Sequence, residues 1–186
     1  MSIKESIKRG WEIWKANKKV ITFITLPVFL IGIIPNPVHD GIGLLFFKPL
    51  VLLISTFFGM GYLKTLLMVE EGKKVEFGEM FKHAKYFWRY LSAMLLYGII
   101  IGVGFILFII PGIYFALKYS QVFMLVLDKD MRIGEAFTRS GVMTNGVKWK
   151  LFRFYFLVTL IELLGLLALG VGELLSMPVA ILSTVV

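Results

Sequence analysis

The chain has 186 residues, 58% hydrophobic, 15% aromatic and 17% charged, against about 45–50% apolar and about 25% charged in ordinary soluble domains. That apolar excess is more than one small globule can bury. No stretch alternates with the period of two that a membrane β-barrel needs, and the absence of cysteine excludes disulfides, thiolate metal sites and cysteine nucleophiles.

The N-terminal segment places Ile3, Ile7, Trp11 and Trp14 on one helical face, with Lys4, Lys8, Glu12 and Lys15 elsewhere. It lacks a small-x-small cleavage pattern, so the first apolar run is expected to stay as a membrane helix. Runs long enough for a hydrocarbon core of about 30 Å follow at 20–34, 42–69, 90–110, 113–127, 151–169 and 171–186. In lipid the backbone must close its own hydrogen bonds, so these runs are expected as α-helices. The fold class that results is an all-α integral membrane protein of about six transmembrane helices, a single domain over 1–186.

A formal charge of +8 is compatible with nucleic acid or with anionic lipid, and its distribution decides for lipid. Lysine and arginine crowd the segment before the first run, the link between the second and third, and the link between the fourth and fifth. The links 35–41, 111–112 and 170–172 hold neither residue. By the positive-inside rule the basic segments and the N-terminus are cytoplasmic, which arranges the runs as three hairpins.

The three basic segments also repeat one another, over units 1–69, 70–127 and 128–186. Glu5-Ser6-Ile7-Lys8-Arg9, Glu79-Met80-Phe81-Lys82-His83 and Glu135-Ala136-Phe137-Thr138-Arg139 are each followed by a tryptophan and a base, Trp14-Lys15, Trp88-Arg89 and Trp149-Lys150. Each is expected to form an amphipathic helix in the membrane surface, with Trp11, Trp14, Trp88 and Trp149 as interfacial anchors. Anionic membrane lipid is the expected partner, with a protein partner at the same face as the alternative.

IKRGWEIWKANKKV, VEFGEMFK, PGIYFALKYSQ and DKDMRIGEAFTRSGVMTNGVKWKLF together resemble the YciC-like small membrane proteins. That family is related to the membrane domain attached to some glycerophosphoryl diester phosphodiesterases. The resemblance covers most of the chain. It implies a prokaryotic cytoplasmic-membrane protein of about six helices and supplies no catalytic residues, because the phosphodiesterase chemistry belongs to a separate soluble domain.

Three charges interrupt the apolar runs. Lys118 stands on the order of 9 Å below the Pro111-Gly112 turn, Lys48 at a similar depth, and Glu162 roughly 12 Å below the turn at Gly170. Each lies on a polar stripe at helical spacing: Tyr114, Lys118 and Gln121; Tyr155, Thr159 and Glu162; Lys48, Ser55 and Tyr62. Isolated charges in a span are costly, so the expectation is either a polar cluster inside the bundle or lysines that snorkel to the head groups.

His39 and His83 read as solvated residues outside any HExxH or triad pattern. Gly59-x-Gly61 and the GxxxG of Gly98 and Gly102 read as close helix packing. No metal, cofactor or catalytic site is expected. The leading functional expectation is a non-catalytic membrane protein acting through its basic amphipathic helices on lipid or a partner. The alternative is a small transporter or lipid-handling protein that uses the Lys48, Lys118 and Glu162 cluster.

The topology is directly testable in a chain without cysteine. On intact cells an impermeant thiol reagent should label Asn36→Cys and leave Ser2→Cys and Lys74→Cys untouched; the reverse pattern would invert the orientation.

Overall fold

Apolar runs that must satisfy their own backbone form helices here, and every regular element among the described residues is helical. The computed structural model describes residues 3–33, 41–76, 78–167 and 173–184. Three stretches, Lys48–Glu70, Ala84–Leu107 and Ile109–Asp128, are long and apolar enough to cross a membrane. The links 35–41 and 170–172 lie essentially outside the described residues, as does His39. The chain divides into two compact units, residues 1–87 with 164–186, and residues 88–163. Those divisions do not coincide with the repeat boundaries at 69 and 127.

The first unit is built from α1 (Ile3–Ala16), α2 (Lys18–Ile33), α3 (Gly41–Glu70), α4 (Glu79–Lys82) and α10 (Glu173–Thr184), with a 3₁₀ turn at Ala84–Tyr86. Its core joins Ile21 and Ile24 of α2, Tyr62, Leu66 and Val69 of α3, Met80 of α4 and Leu182 of α10. The buried Thr25 hydroxyl donates to the Ile21 carbonyl at 2.7 Å and lies 3.1 Å from the Tyr62 hydroxyl. Close approach relies on two glycines. A methyl at Gly10 would collide with Ser183 and Val179 of α10, and one at Gly61 with the Met80 carbonyl.

The amphipathic α1 therefore spends its apolar side on protein. It packs against α10, and the Arg9 guanidinium meets the Glu70 carboxylate at 2.8 Å. Trp11 stacks on Trp14 with ring centres 5.0 Å apart. Trp14 packs on the core, its indole N–H buried without a hydrogen-bond partner among the described residues. These two tryptophans are thus half-buried. Trp88 and Trp149 are more open, at 72% and 66% exposure. The 12 described residues of α10 rise about 18 Å.

The second unit comprises α5 (Phe87–Leu107), α6 (Ile109–Lys118), α7 (Val122–Asp128), α8 (Ile133–Met143) and α9 (Lys148–Leu167). The reversal between α5 and α6 occurs at Phe108, which alone is extended (φ −165°, ψ 158°), and not at Pro111-Gly112 as the sequence suggests. Pro111 sits in the first turn of α6, where the missing N–H would have no intrahelical partner anyway. Gly112 serves the packing: a methyl there would lie 2.5 Å from the Phe105 ring, and one at Gly104 would lie 3.0 Å from the Gly112 Cα. Gly98 and Gly102 meet nothing within 4 Å, so the close crossing falls on a different glycine pair from the expected one.

His83 also departs from its expected solvated setting. Its side chain is only 17% exposed, with Nε2 4.0 Å from the Glu79 carboxylate and without a hydrogen-bond partner among the described residues. Burial lowers its pKa from the usual 6.5, and the nearby Lys64 charge acts in the same direction, outweighing Glu79. The native state thus favours the neutral ring, and the unfolded chain binds the proton more readily. Stability is then fully present above pH 6.5 and declines as pH falls toward the lower native pKa. Denaturant titrations between pH 7 and pH 5 should show this decline, and His83→Asn should flatten it.

Candidate functional site

The stretch Ile109–Asp128 is apolar enough to span a bilayer, yet its helix stops at Lys118 and restarts at Val122. Such a break frees backbone groups that lipid cannot satisfy. The chain answers it with α8. Rather than lying apart as a surface helix, α8 doubles back along α7, burying Ala136 and Phe137 against Val122, Leu125 and Val126. The Ser140 hydroxyl then donates to the Lys118 carbonyl at 2.9 Å and accepts the Gln121 backbone N–H at 3.3 Å. One serine bridges both sides of the break. The Thr144 hydroxyl stands 3.1 Å from the same carbonyl and 2.9 Å from its own i−4 carbonyl, that of Ser140.

The turn that launches α8 is held from α5. Asp130 takes a left-handed conformation (φ 52°), and the Arg89 guanidinium donates to its carbonyl at 3.1 Å and to its carboxylate. Glu135 accepts the Arg132 N–H at 3.4 Å, closing the first turn of α8.

Above the break lies a cavity of about 470 Å³. Its walls are mostly apolar, among them Phe105, Ile113, Ala116, Phe123, Phe152 and Phe156, and its polar lining is Tyr97, Ser120, Tyr155 and Thr159. Those polar groups are held in place. The Tyr97 hydroxyl donates to the Ala116 carbonyl at 3.4 Å and the Ser120 hydroxyl to the Leu117 carbonyl at 3.0 Å. The Gln121 side-chain amide lies 3.4 Å from both the Ser120 and Tyr155 hydroxyls. A chamber of this size, mainly apolar with a few convergent polar groups, has the make-up of a small-ligand site.

The residues singled out from sequence divide accordingly. Tyr155 and Thr159 line the cavity, and Gln121 stands behind it with its amide 3.4 Å from the Tyr155 hydroxyl. Lys118 follows ten residues after Phe108, about 15 Å along α6 and so deeper than the sequence estimate. Its ammonium lies 5.1 Å from the Tyr119 ring centre. Its stem runs past Gly141, where a methyl would lie 3.1 Å from Cε. Tyr114 is half-exposed beneath the Lys148 ammonium, 5.0 Å from the ring centre. Glu162 is half-buried on α9, beyond Thr159. Lys48 and Tyr62 belong to the first unit, Lys48 exposed and Tyr62 in the core; Ser55, on the same helix, donates to the Leu52 carbonyl at 3.1 Å.

Ser140, Thr144, Ser120 and Tyr97 did not stand out from sequence. The available signal was register: Ser140 and Thr144 extend the Ile133, Ala136 and Phe137 face at i+7 and i+11. Among the described residues no group of acidic and histidine side chains could hold a metal ion. The chain matches no family model, no curated protein and no solved structure.

Removing Ser140's hydroxyl should expose its central role. Ser140→Ala leaves the Gln121 N–H and part of the Lys118 carbonyl unpaired, a loss of about 1–3 kcal/mol. Thr144→Val should cost less, because Ser140 still holds the carbonyl, and the double change should exceed the sum of the singles. Denaturation of the four proteins in one detergent measures this directly.

Proposed function

We propose that this chain is a non-catalytic membrane protein that binds the hydrocarbon portion of a lipid or similar amphiphile within its 88–163 unit. The cavity of about 470 Å³ carries the proposal. Its walls are drawn partly from two stretches of bilayer-spanning length and composition, so its natural occupants come from the membrane. Water is a poor alternative, since an ordered water needs two to four polar partners and aromatic and aliphatic groups dominate here. Ser120, Tyr155 and Thr159 offer hydroxyls to an ester or alcohol at one part of the lining.

The basic segments complement this role. With α1 and α8 turning their apolar sides onto protein, their charged residues remain outward, which supports attraction of anionic lipid to the cytoplasmic face rather than deep insertion of the helices themselves. A helix broken beside a ligand cavity is also a recurring device in transporters. That feature favours, as a second reading, release of the occupant by movement about Tyr119, Ser120 and Gln121.

Ala116→Phe would fill the cavity from α6 with a side chain that the apolar surroundings accept. Full-length protein incorporated into membranes containing a lipid with a photoreactive acyl chain should cross-link within the cavity lining. The aromatic substitution should reduce that signal at least fivefold while the protein remains folded by circular dichroism. Equal cross-linking of both proteins, or labelling confined to outward-facing residues, would refute an internal lipid site.

A further inference from the structure

A second groove, of about 430 Å³, runs along the start of α2 in the first unit, lined by Trp14, Lys18, Lys19, Thr22, Phe23 and Leu26. It shares no residue with the cavity of the 88–163 unit and does not rest on the function proposed for it. The order of its lining is its main property. Two lysines stand at one end, Thr22 follows, and Phe23 and Leu26 stand below at 58% and 40% exposure. Leu30, one turn further on the same side, is 55% exposed. From Lys18 to Leu26 the helix rises about 12 Å, the scale that separates a phosphate from the first part of its acyl chain.

Charge distinguishes the occupants that such a surface could take. No ion pair among the described residues involves Lys18 or Lys19, while Glu12 of α1 is 3.8 Å from Lys8 and Glu70 is engaged by Arg9. A second copy of the chain meeting this surface about a twofold axis would bring its own lysines against these two. A soluble acidic peptide would satisfy the lysines and leave no reason for the apolar lower half. A phospholipid satisfies both ends in the order in which they occur. We propose that this groove is a site for one anionic phospholipid, its phosphate at Lys18 and Lys19 and an acyl chain along Phe23 and Leu26.

The test uses full-length protein with Trp88→Phe and Trp149→Phe, so that Trp11 and Trp14 carry the indole emission. It is reconstituted in phosphatidylcholine with increasing phosphatidylglycerol whose acyl chains are brominated, a contact quencher of tryptophan. Quenching should saturate at a low fraction of the anionic lipid. Lys18→Gln with Lys19→Gln should raise the half-saturating fraction roughly thirtyfold, on the scale expected for two basic contacts at a charged surface. Lys18→Arg with Lys19→Arg should preserve it, and so should the charge-matched Lys4→Gln with Lys74→Gln. An equal effect of both neutralised pairs would reduce the site to general surface charge. Matching quenching by brominated phosphatidylcholine would remove the headgroup from the proposal. Competition by millimolar glycerol phosphate would make it a free-phosphate site instead of a lipid site.

Discussion

The second unit depends on one requirement: the Lys118 carbonyl and the Gln121 N–H, set free inside an otherwise apolar stretch, must find partners. In a hydrocarbon setting each unsatisfied group is worth several kcal/mol. Ser140 can supply both only if α8 lies along α7, and that placement accounts for much of what surrounds it. It explains why Ala136 and Phe137 are buried, why the connection turns sharply at Asp130, and why glycine stands at 141 where the Lys118 stem passes. Lys118 itself is a consequence of the same arrangement. Its aliphatic part fills space beside α8 while its charge rests near the Tyr119 ring.

The first unit solves a different problem with the same economy of means. An amphipathic helix whose apolar face could have met lipid is docked on α10, through a glycine at its contact point and an arginine at its edge. The helix that follows starts with two lysines and continues apolar, so charge and hydrocarbon side chains succeed one another along one element. The exposed apolar surface next to charge thus lies at the start of α2, where Phe23 and Leu26 follow Lys18 and Lys19, and not on α1, where the amphipathic pattern first suggests it.

How much of this could be read from residues alone depends on whether the deciding interaction is local. Apolar runs and the helices they form are local properties, and α2, α3 and α5 begin and end within a few residues of their expected limits. The break at 119–121 is not local. Tyr-Ser-Gln carries no proline or glycine, and its freed groups are met by Ser140, nineteen residues after Gln121, and by Thr144. Pro111 misleads for the complementary reason, since in a first helical turn its missing donor has no consequence. Similarly, His83 reads as a polar-face residue by its spacing, and its burial follows from tertiary contacts that spacing does not contain. Gln121, Tyr155 and Thr159 are visible as stripes, but the meeting of Tyr155 and Thr159 in one cavity, with Gln121 against Tyr155, depends on how the helices pack.

The reversal between α5 and α6 gives the molecule an unequal grip on its surroundings. Ile106, Phe108 and Ile110 at that tip are 84%, 75% and 80% exposed, and the chain carries no charge from residue 90 to residue 117. At the opposite end of α5, Trp88 is 72% exposed and the Arg89 guanidinium pairs with the Asp130 carboxylate. One end of this pair of helices thus carries aromatic and charged groups and the other only exposed aliphatic and phenyl side chains. A bilayer meeting this tip would find only hydrocarbon side chains until the level of Tyr114, where the Lys148 ammonium stands over the ring, so a small hydrophobic mismatch would cost little there and a larger one would meet that charge.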